Sequence, residues 1–137
     1  MIVLGGLDAV RGAVGRDLGT SDWVTVTAAQ VGQYAQATGD GSPDGATVSP
    51  WLVLSLTNLF LPQIVEVRGI AAGVNYGTGE VRFLGEAQVG ERLRGAASLI
   101  DATEVSGGVQ TTIRITVEVE GIDEPVCVID SLSRWLE

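Results

Sequence analysis

Hydrophobic and polar positions alternate most regularly between Val109 and Glu120. Every second residue there is apolar or threonine, and the residues between them are polar or charged, a period typical of a strand with one buried face. Three further segments have strand composition: residues 73–83, 91–103 and 125–136. Gly77 and Gly79 mark bulges or bends in the first of them. The second half of the chain therefore predicts a sheet of long antiparallel strands.

Two segments of the first half have helical spacing. Thr27 is a favoured N-cap for a short amphipathic helix, and Gly39 is well placed to end it. Ser49 followed by Pro50 gives the preferred start of a second helix, which we expect to end at Pro62. This second helix is apolar on nearly every face, a pattern typical of a helix buried on all sides.

The other segments give weaker signals. Residues 1–20 are rich in glycine and predict an irregular lead-in, residues 21–26 a short strand, and residues 40–48 a loop. A helix buried on all sides needs a surface that covers it, and a curved antiparallel sheet supplies one. The pattern predicts one α+β domain over residues 1–137, a long buried helix wrapped by the sheet.

Length and charge narrow the classes of partner. A chain of 137 residues has the size of one domain. Its net charge of −9, with only 8 basic residues, disfavours nucleic acid and anionic membrane surfaces as partners. The longest apolar stretch is too short to span a bilayer, and Asp8 and Arg11 come too early for a signal segment. We expect a cytoplasmic protein.

Two residue counts limit the chemistry. The single cysteine, Cys127, excludes an intrachain disulfide, and its apolar neighbours favour a small buried residue over a nucleophile. The chain contains no histidine, which excludes mechanisms that need an imidazole. There is no glycine-rich phosphate loop after a strand and no ligand cluster at metal spacing, so we expect neither a nucleotide cofactor nor a metal.

Three stretches make the pattern more specific. They are Asp22–Thr27 followed by the segment YAQATGD that ends at Asp40, the run NYG at Asn75–Gly77 followed by VRF at Val81–Phe83, and the closing segment from Pro125 to Leu136. In this order they resemble the MaoC-like family of hotdog-fold hydratases and dehydratases, in particular its NodN-type members. The resemblance spans roughly residues 21–136 and implies a hotdog fold.

The resemblance also implies an activity and two departures from it. Members of the family add or remove water across the double bond of an acyl thioester, using an aspartate and a histidine five positions later. Asp40 stands at the aspartate position, but Gly45 stands at the histidine position. In the family a glycine N–H at the start of the central helix binds the thioester oxygen, and here Pro50 stands there with no N–H to donate.

Six residues are candidates for a site. Asp40 and Tyr76 are the catalytic candidates, and Ser49, Trp51, Asn75 and Asp44 are the substrate-binding candidates. Each has a structural alternative. Asp40 and Ser49 can serve as helix caps, Trp51 can fill the core, and Tyr76 can be a packing residue of the strand. Asp44 can form an acid–base pair with Asp40.

Four hypotheses for the function remain open. The first is a repurposed enzyme that binds an acyl- or polyketide-derived substrate and catalyses a step other than hydration, such as cyclisation or cycloaddition. The second is a non-catalytic partner subunit of a heteromeric hydratase, and the third is a hydratase that retains activity through Asp40 alone. The fourth is a small-molecule or acyl-carrier binding module with no chemistry. The resemblance implies a homodimer, or a heterodimer with an active MaoC-like chain.

Overall fold

The computed structural model describes every residue from Met1 to Glu137. The strands are β1 (Ile2–Gly5), β2 (Asp17–Thr20), β3 (Val24–Thr25), β4 (Thr47–Val48), β5 (Val65–Arg68), β6 (Ala72–Phe83), β7 (Ala87–Gln88), β8 (Arg92–Val105), β9 (Gly108–Val119) and β10 (Cys127–Leu136). The helices are α1 (Leu7–Gly12), α2 (Ala28–Thr38), α3 (Pro50–Ser55) and α4 (Thr57–Ile64). Helices come early in the chain and long strands follow, as the sequence predicts for an α+β fold.

The main sheet has the strand order β2-β8-β9-β10-β6, and β3 also pairs with β8. All of its strand pairs are antiparallel. A two-residue turn joins β8 to β9, and Gly107 supplies the positive φ of 80° that this turn requires. The alternating positions of β9 predicted to face the core are buried: Val109, Thr111, Ile113, Ile115, Val117 and Val119. Period-two alternation thus gave the inner face of the sheet correctly.

Helices α3 and α4 follow each other across Leu56 and lie on the inner face of the sheet. Their buried residues are Val53, Thr57, Phe60 and Ile64, which recur every three or four positions and so share one helical face. Phe60 and Ile64 are among the largest fully buried side chains of the chain. This central helix anchors two hydrophobic clusters, one at each end of the sheet.

Two predictions about the central helix are wrong. It is buried on one face only, because the sheet covers one side of it and leaves Trp51 57% and Leu59 49% exposed. Pro62 does not end it either, since the helix continues to Ile64. The proline removes one backbone hydrogen bond, but burial of Ile64 against the sheet holds the last turn in place.

Helix α2 begins and ends at the predicted positions. The Thr27 hydroxyl accepts from the backbone N–H of Gln30, and the Gln30 side chain accepts from the N–H of Thr27, which completes a capping box. At the other end Gly39 adopts the left-handed conformation, with φ of 75°, and its N–H bonds to the Ala35 carbonyl. Local sequence signals therefore fix both ends of this helix.

The first twenty residues are not an irregular lead-in. They form β1, α1 and β2, and they bury Leu4, Leu7, Val10 and Leu18 in the core. Strand β1 pairs in parallel with β5, so its partner lies about sixty residues further along the chain. The glycine-rich sequence of this segment gave no sign of these elements, because the pairing of a strand with a distant partner leaves no local pattern.

The strand predicted for residues 21–26 is shorter than expected. Only Val24 and Thr25 are paired, with Leu93 and Arg92 of β8. Ser21 also contacts β8: its backbone N–H donates to the Gly95 carbonyl at 2.9 Å, and its hydroxyl accepts from the backbone N–H of Gly95 at 3.0 Å.

Candidate functional site

Asp40 and Ser49 meet at the N-terminus of the central helix. The Ser49 hydroxyl donates a hydrogen bond to the Asp40 carboxylate and accepts one from the backbone N–H of Trp51 at 3.2 Å. Ser49 is buried, and Asp40 is partly buried immediately after the glycine that ends α2. The fold thus brings two predicted site residues into one chain of hydrogen bonds, although Ser49 also acts as the N-cap.

The start of the helix has few free backbone donors. Pro50 has no N–H, the N–H of Trp51 is taken by Ser49, and the N–H of Val53 bonds to the Ser49 carbonyl. A helix N-terminus usually offers several such donors to an anion. Here the group nearest to this end is instead the Asp40 carboxylate, which can accept or release a proton.

Asp44 accepts hydrogen bonds from its own loop and has none with the Asp40–Ser49 pair. Its Oδ1 accepts from the backbone N–H of Ala46 at 2.9 Å and from the Ser42 hydroxyl at 3.0 Å. These hydrogen bonds, the backbone one first, lower the pKa of Asp44 below its ordinary value. Asp44 is exposed and shares no hydrogen bond with Asp40, so the structure gives no support to an acid–base pair of the two carboxylates.

Trp51 is neither a core residue nor part of an enclosed pocket in the single chain. Its ring packs edge-on against Phe83 at the end of β6, with 5.3 Å between the ring centroids. Both rings are substantially exposed, Trp51 by 57% and Phe83 by 40%. The pair forms an aromatic edge beside the Asp40–Ser49 pair.

Two adjoining cavities lie between the central helix and strands β6 and β10. Their volumes are about 260 Å³ and about 340 Å³. Four polar residues line both cavities: Thr57, Asn58, Asn75 and Ser131. Asn58 of the helix and Asn75 of β6 are linked by a hydrogen bond of 3.3 Å. We call the two cavities together the α4–β6 groove.

The predicted site residues divide between two places. Asn75 and Tyr76 line the α4–β6 groove, whereas Asp40, Asp44, Ser49 and Trp51 do not. The cavities lie nearer to the C-terminal half of the central helix, and the Asp40–Ser49 pair lies at its N-terminus.

Tyr76 borders the groove, but its ring faces another way. The Arg134 guanidinium lies 3.6 Å from the centre of the ring, and Arg134 also donates to Gln110. Gln110 is on the polar face of β9, so this stack lies on the outer face of the sheet. Tyr76 and Asp40 share no hydrogen bond, and the single chain does not bring these two catalytic candidates together.

Sequence reasoning missed Asn58 and Ser133. Asn58 is a polar residue within an otherwise apolar helical segment. Ser131 and Ser133 occupy alternate positions of β10 that share a face with buried residues such as Ile129. Serines at a period of two on the buried face of a strand were the available signal.

Cys127 is fully buried in a hydrophobic cluster, as predicted. Burial raises the pKa of the Cys127 thiol above its ordinary value. A thiol in this environment stays protonated at neutral pH and is a poor nucleophile.

Comparisons with known proteins identify the lineage. No model of a known protein family matches the sequence. The chain is 36% identical to 3-hydroxyacyl-thioester dehydratase Z of Mycobacterium tuberculosis, over 90% of this chain and 91% of that protein. It is 30% identical to nodulation protein N of Rhizobium leguminosarum, over 85% of this chain and 82% of that protein.

Solved structures agree on the fold. A MaoC-like dehydratase from Rhodospirillum rubrum superposes with a TM-score of 0.71 at 17% identity, covering 91% of this chain and 93% of that one. A chain of the ChsH1–ChsH2 complex from M. tuberculosis superposes with a TM-score of 0.60 at 14% identity, covering 96% and 94%. The chain belongs to the MaoC-like dehydratase/hydratase family and has its hotdog fold.

None of the helices is both long enough and apolar enough to cross a bilayer.

Proposed function

We propose that this chain binds an acyl- or polyketide-derived small molecule and catalyses a step other than hydration, such as cyclisation or cycloaddition. The observation that carries the proposal is the Asp40–Ser49 pair at a helix start where Pro50 replaces a backbone donor. A carboxylate is present where an acid or base is useful, while the donor that would bind a thioester oxygen is missing.

Hydration of an enoyl thioester needs two proton transfers. One group removes a proton from water, and a proton must also reach the carbon next to the carbonyl. The chain has no histidine to share this work, and Ser49 is the only side chain that hydrogen-bonds to the Asp40 carboxylate. One carboxylate alone favours a reaction that needs a single proton transfer or none.

A site with few catalytic groups can still accelerate a reaction by holding its substrate in place. Fixing reacting atoms in a near-attack geometry supplies a large part of the rate in intramolecular reactions such as ring closure. The α4–β6 groove has the volume of a small-molecule site and is lined by both apolar and polar residues. These properties support a role in holding the chain of the substrate in a folded conformation.

The proposal predicts that the chain does not hydrate enoyl thioesters. A panel of enoyl-CoA substrates is followed by loss of the enoyl-thioester absorbance, with wild type and Asp40→Asn measured side by side. We expect both proteins to leave the absorbance unchanged. Hydration by wild type that Asp40→Asn abolishes would overturn the proposal and support a hydratase that works through Asp40 alone.

The free edge of β6 supports assembly with a second chain. Residues 72–80 of β6 are all exposed, and β6 ends the main sheet with one edge unpaired. An exposed strand edge of this length pairs readily with another chain. We propose a homodimer formed through this edge. Aggregation of the chain alone, relieved by coexpression with an active MaoC-like chain, would instead favour the non-catalytic subunit.

A further inference from the structure

A row of polar residues crosses the inner face of the sheet, where the neighbouring positions are apolar. Ser133 of β10 is directly opposite Thr111 of β9 on one side and Asn75 of β6 on the other. Directly opposite residues on paired strands point to the same face. The adjacent inward positions of β9, Val109 and Ile113, are buried and apolar. The polar row is therefore built into the core side of the sheet.

Ser133 has an unused hydroxyl in this row. The residue is only 3% exposed and lines the smaller cavity of the groove. No fully buried side-chain oxygen or nitrogen lacks a partner in the structure, and the Ser133 hydroxyl bonds to no other group of the chain, so it must open into the cavity. Thr111, its neighbour, is already engaged by the Trp135 indole N–H at 2.9 Å.

Asn58 and Asn75 extend the polar surface above Ser133. The Asn75 amide N–H donates to Asn58 Oδ1 at 3.3 Å, which is a long hydrogen bond. Two N–H groups of Asn58 and the carbonyl oxygen of Asn75 have no partner within the chain. Both residues line both cavities, so their free groups border the space in which a ligand would lie.

We propose that Ser133, Asn58 and Asn75 form a subsite that binds a hydroxyl or ketone oxygen on the substrate chain. The inference rests on the proposed function, because it specifies the class of acyl substrate. No charged side chain lines either cavity, so the bound group is uncharged. Asn58 lies nine helical positions beyond Ser49, about 13 Å along the axis, so the oxygen is remote from the Asp40 end of the substrate.

The subsite is tested by binding, not by turnover. The probes are the decanoyl thioester of N-acetylcysteamine and a series of its monohydroxylated derivatives, with the hydroxyl at successive carbons of the chain. Dissociation constants are measured by isothermal titration calorimetry for wild type, Ser133→Ala, Asn58→Leu and Ser98→Ala. Ser98 is the matched control, because its side chain lies on the outer face of the same sheet.

One hydroxyl position is expected to bind wild type about tenfold more tightly than the unsubstituted thioester, the effect of one well-placed hydrogen bond. Ser133→Ala and Asn58→Leu should each remove most of this preference, while Ser98→Ala retains it. Equal affinity of wild type for all probes, or a preference that survives both groove substitutions, overturns the subsite but leaves acyl binding intact. Absence of binding by every probe overturns the proposed function and the subsite together.

Discussion

Gly95 of β8 lies directly against Phe60 of the central helix. A Cβ atom at this position would lie 2.9 Å from the Cβ of Phe60, a residue with no exposed surface. Real side chains do not approach so closely, and Phe60 is held by the core around it. The residue is glycine because the Phe60 side chain occupies the available space.

Gly95→Ala is expected to lower the free energy of unfolding by about 1–3 kcal/mol, because the added methyl group forces Phe60 or the strand to move. Gly32→Ala is the control. Gly32 lies in the middle of α2 with open space around its Cα, so alanine there should raise stability by about 0.5–1 kcal/mol. Urea unfolding measures both variants, and changes of the same sign would contradict this account.

Ser49 is both the N-cap of α3 and the hydrogen-bond donor to the Asp40 carboxylate. Ser49→Ala removes the N-cap of α3 and the donor to Asp40, and we expect a loss of about 1 kcal/mol of stability. Ser55→Ala is a matched control on the same helix, since its exposed hydroxyl donates only to the Trp51 carbonyl. Its effect on thermal unfolding should be much smaller, and an equal effect would show that the cap contributes little.

Features of single elements that depend on neighbouring residues were predictable from the sequence, and features that depend on distant strands were not. The capping box of Thr27 and Gln30 lies within one helical turn, and the alternation in β9 lies within one strand, so the sequence predicts both. Strand β1 exists only because β5 pairs with it, and no local pattern reports that partner. The exposed face of the central helix was misjudged for the same reason, since the extent of the covering sheet depends on all the other strands.

The candidate site was predictable in the same partial way. The resemblance supplied Asp40, and helix-start chemistry supplied Ser49, but their hydrogen bond needs the loop between them to fold back. Asn58 and Ser133 come together from a helix and a strand far apart in sequence. Their juxtaposition depends on how the central helix packs against the sheet, which periodicity along a single element does not encode.

The outer face of the sheet is crossed by ion pairs between neighbouring strands. Arg114 of β9 donates two hydrogen bonds to the Asp130 carboxylate of β10, at 2.8 and 3.1 Å. These hydrogen bonds lower the pKa of Asp130 below its ordinary value. A carboxyl group with a lowered pKa in the folded state stabilises the fold above its unfolded pKa, near 4, and loses that contribution as the pH falls through the folded pKa.

Asp130→Asn should therefore be less stable than wild type at pH 7, with the difference shrinking as the pH is lowered below about 4. The effect is modest because Arg114 is largely exposed to solvent. Urea unfolding at neutral and acidic pH measures it. Glu66→Gln, which weakens the exposed pair with Arg68 on β5, is the control and should show little effect at either pH. A difference for Asp130→Asn that persists unchanged at low pH would exclude this electrostatic origin.

At the scale of the whole molecule, the single chain leaves a large apolar surface uncovered. Trp51, Leu59, Phe83 and Leu84 are all at least 40% exposed, and they lie on the central helix and at or just beyond the end of the edge strand β6. Exposed apolar groups of this size usually mark an interface. A second copy of the chain would cover them.

The proposed homodimer should sediment with twice the chain mass of 14.2 kDa. Leu59→Glu places a charge on the exposed helix face and is expected to shift the equilibrium strongly towards monomer. Ile122→Glu is the control, because Ile122 is equally exposed but lies in the turn between β9 and β10. Analytical ultracentrifugation distinguishes the two. A dimer unaffected by Leu59→Glu would move the interface away from this surface.

The rate at which the buried thiol of Cys127 is labelled can measure local opening of the sheet. Cys127 has no exposed surface and sits where β10 pairs with both β9 and β6, so a thiol reagent can reach it only when that part of the sheet opens. Because it is the sole cysteine, every labelling event reports the same opening. The labelling rate under native conditions would measure how often β10 separates from Phe83 and Val117, and a ligand bound near Ser133 at the other end of β10 should slow only those openings that involve the whole strand.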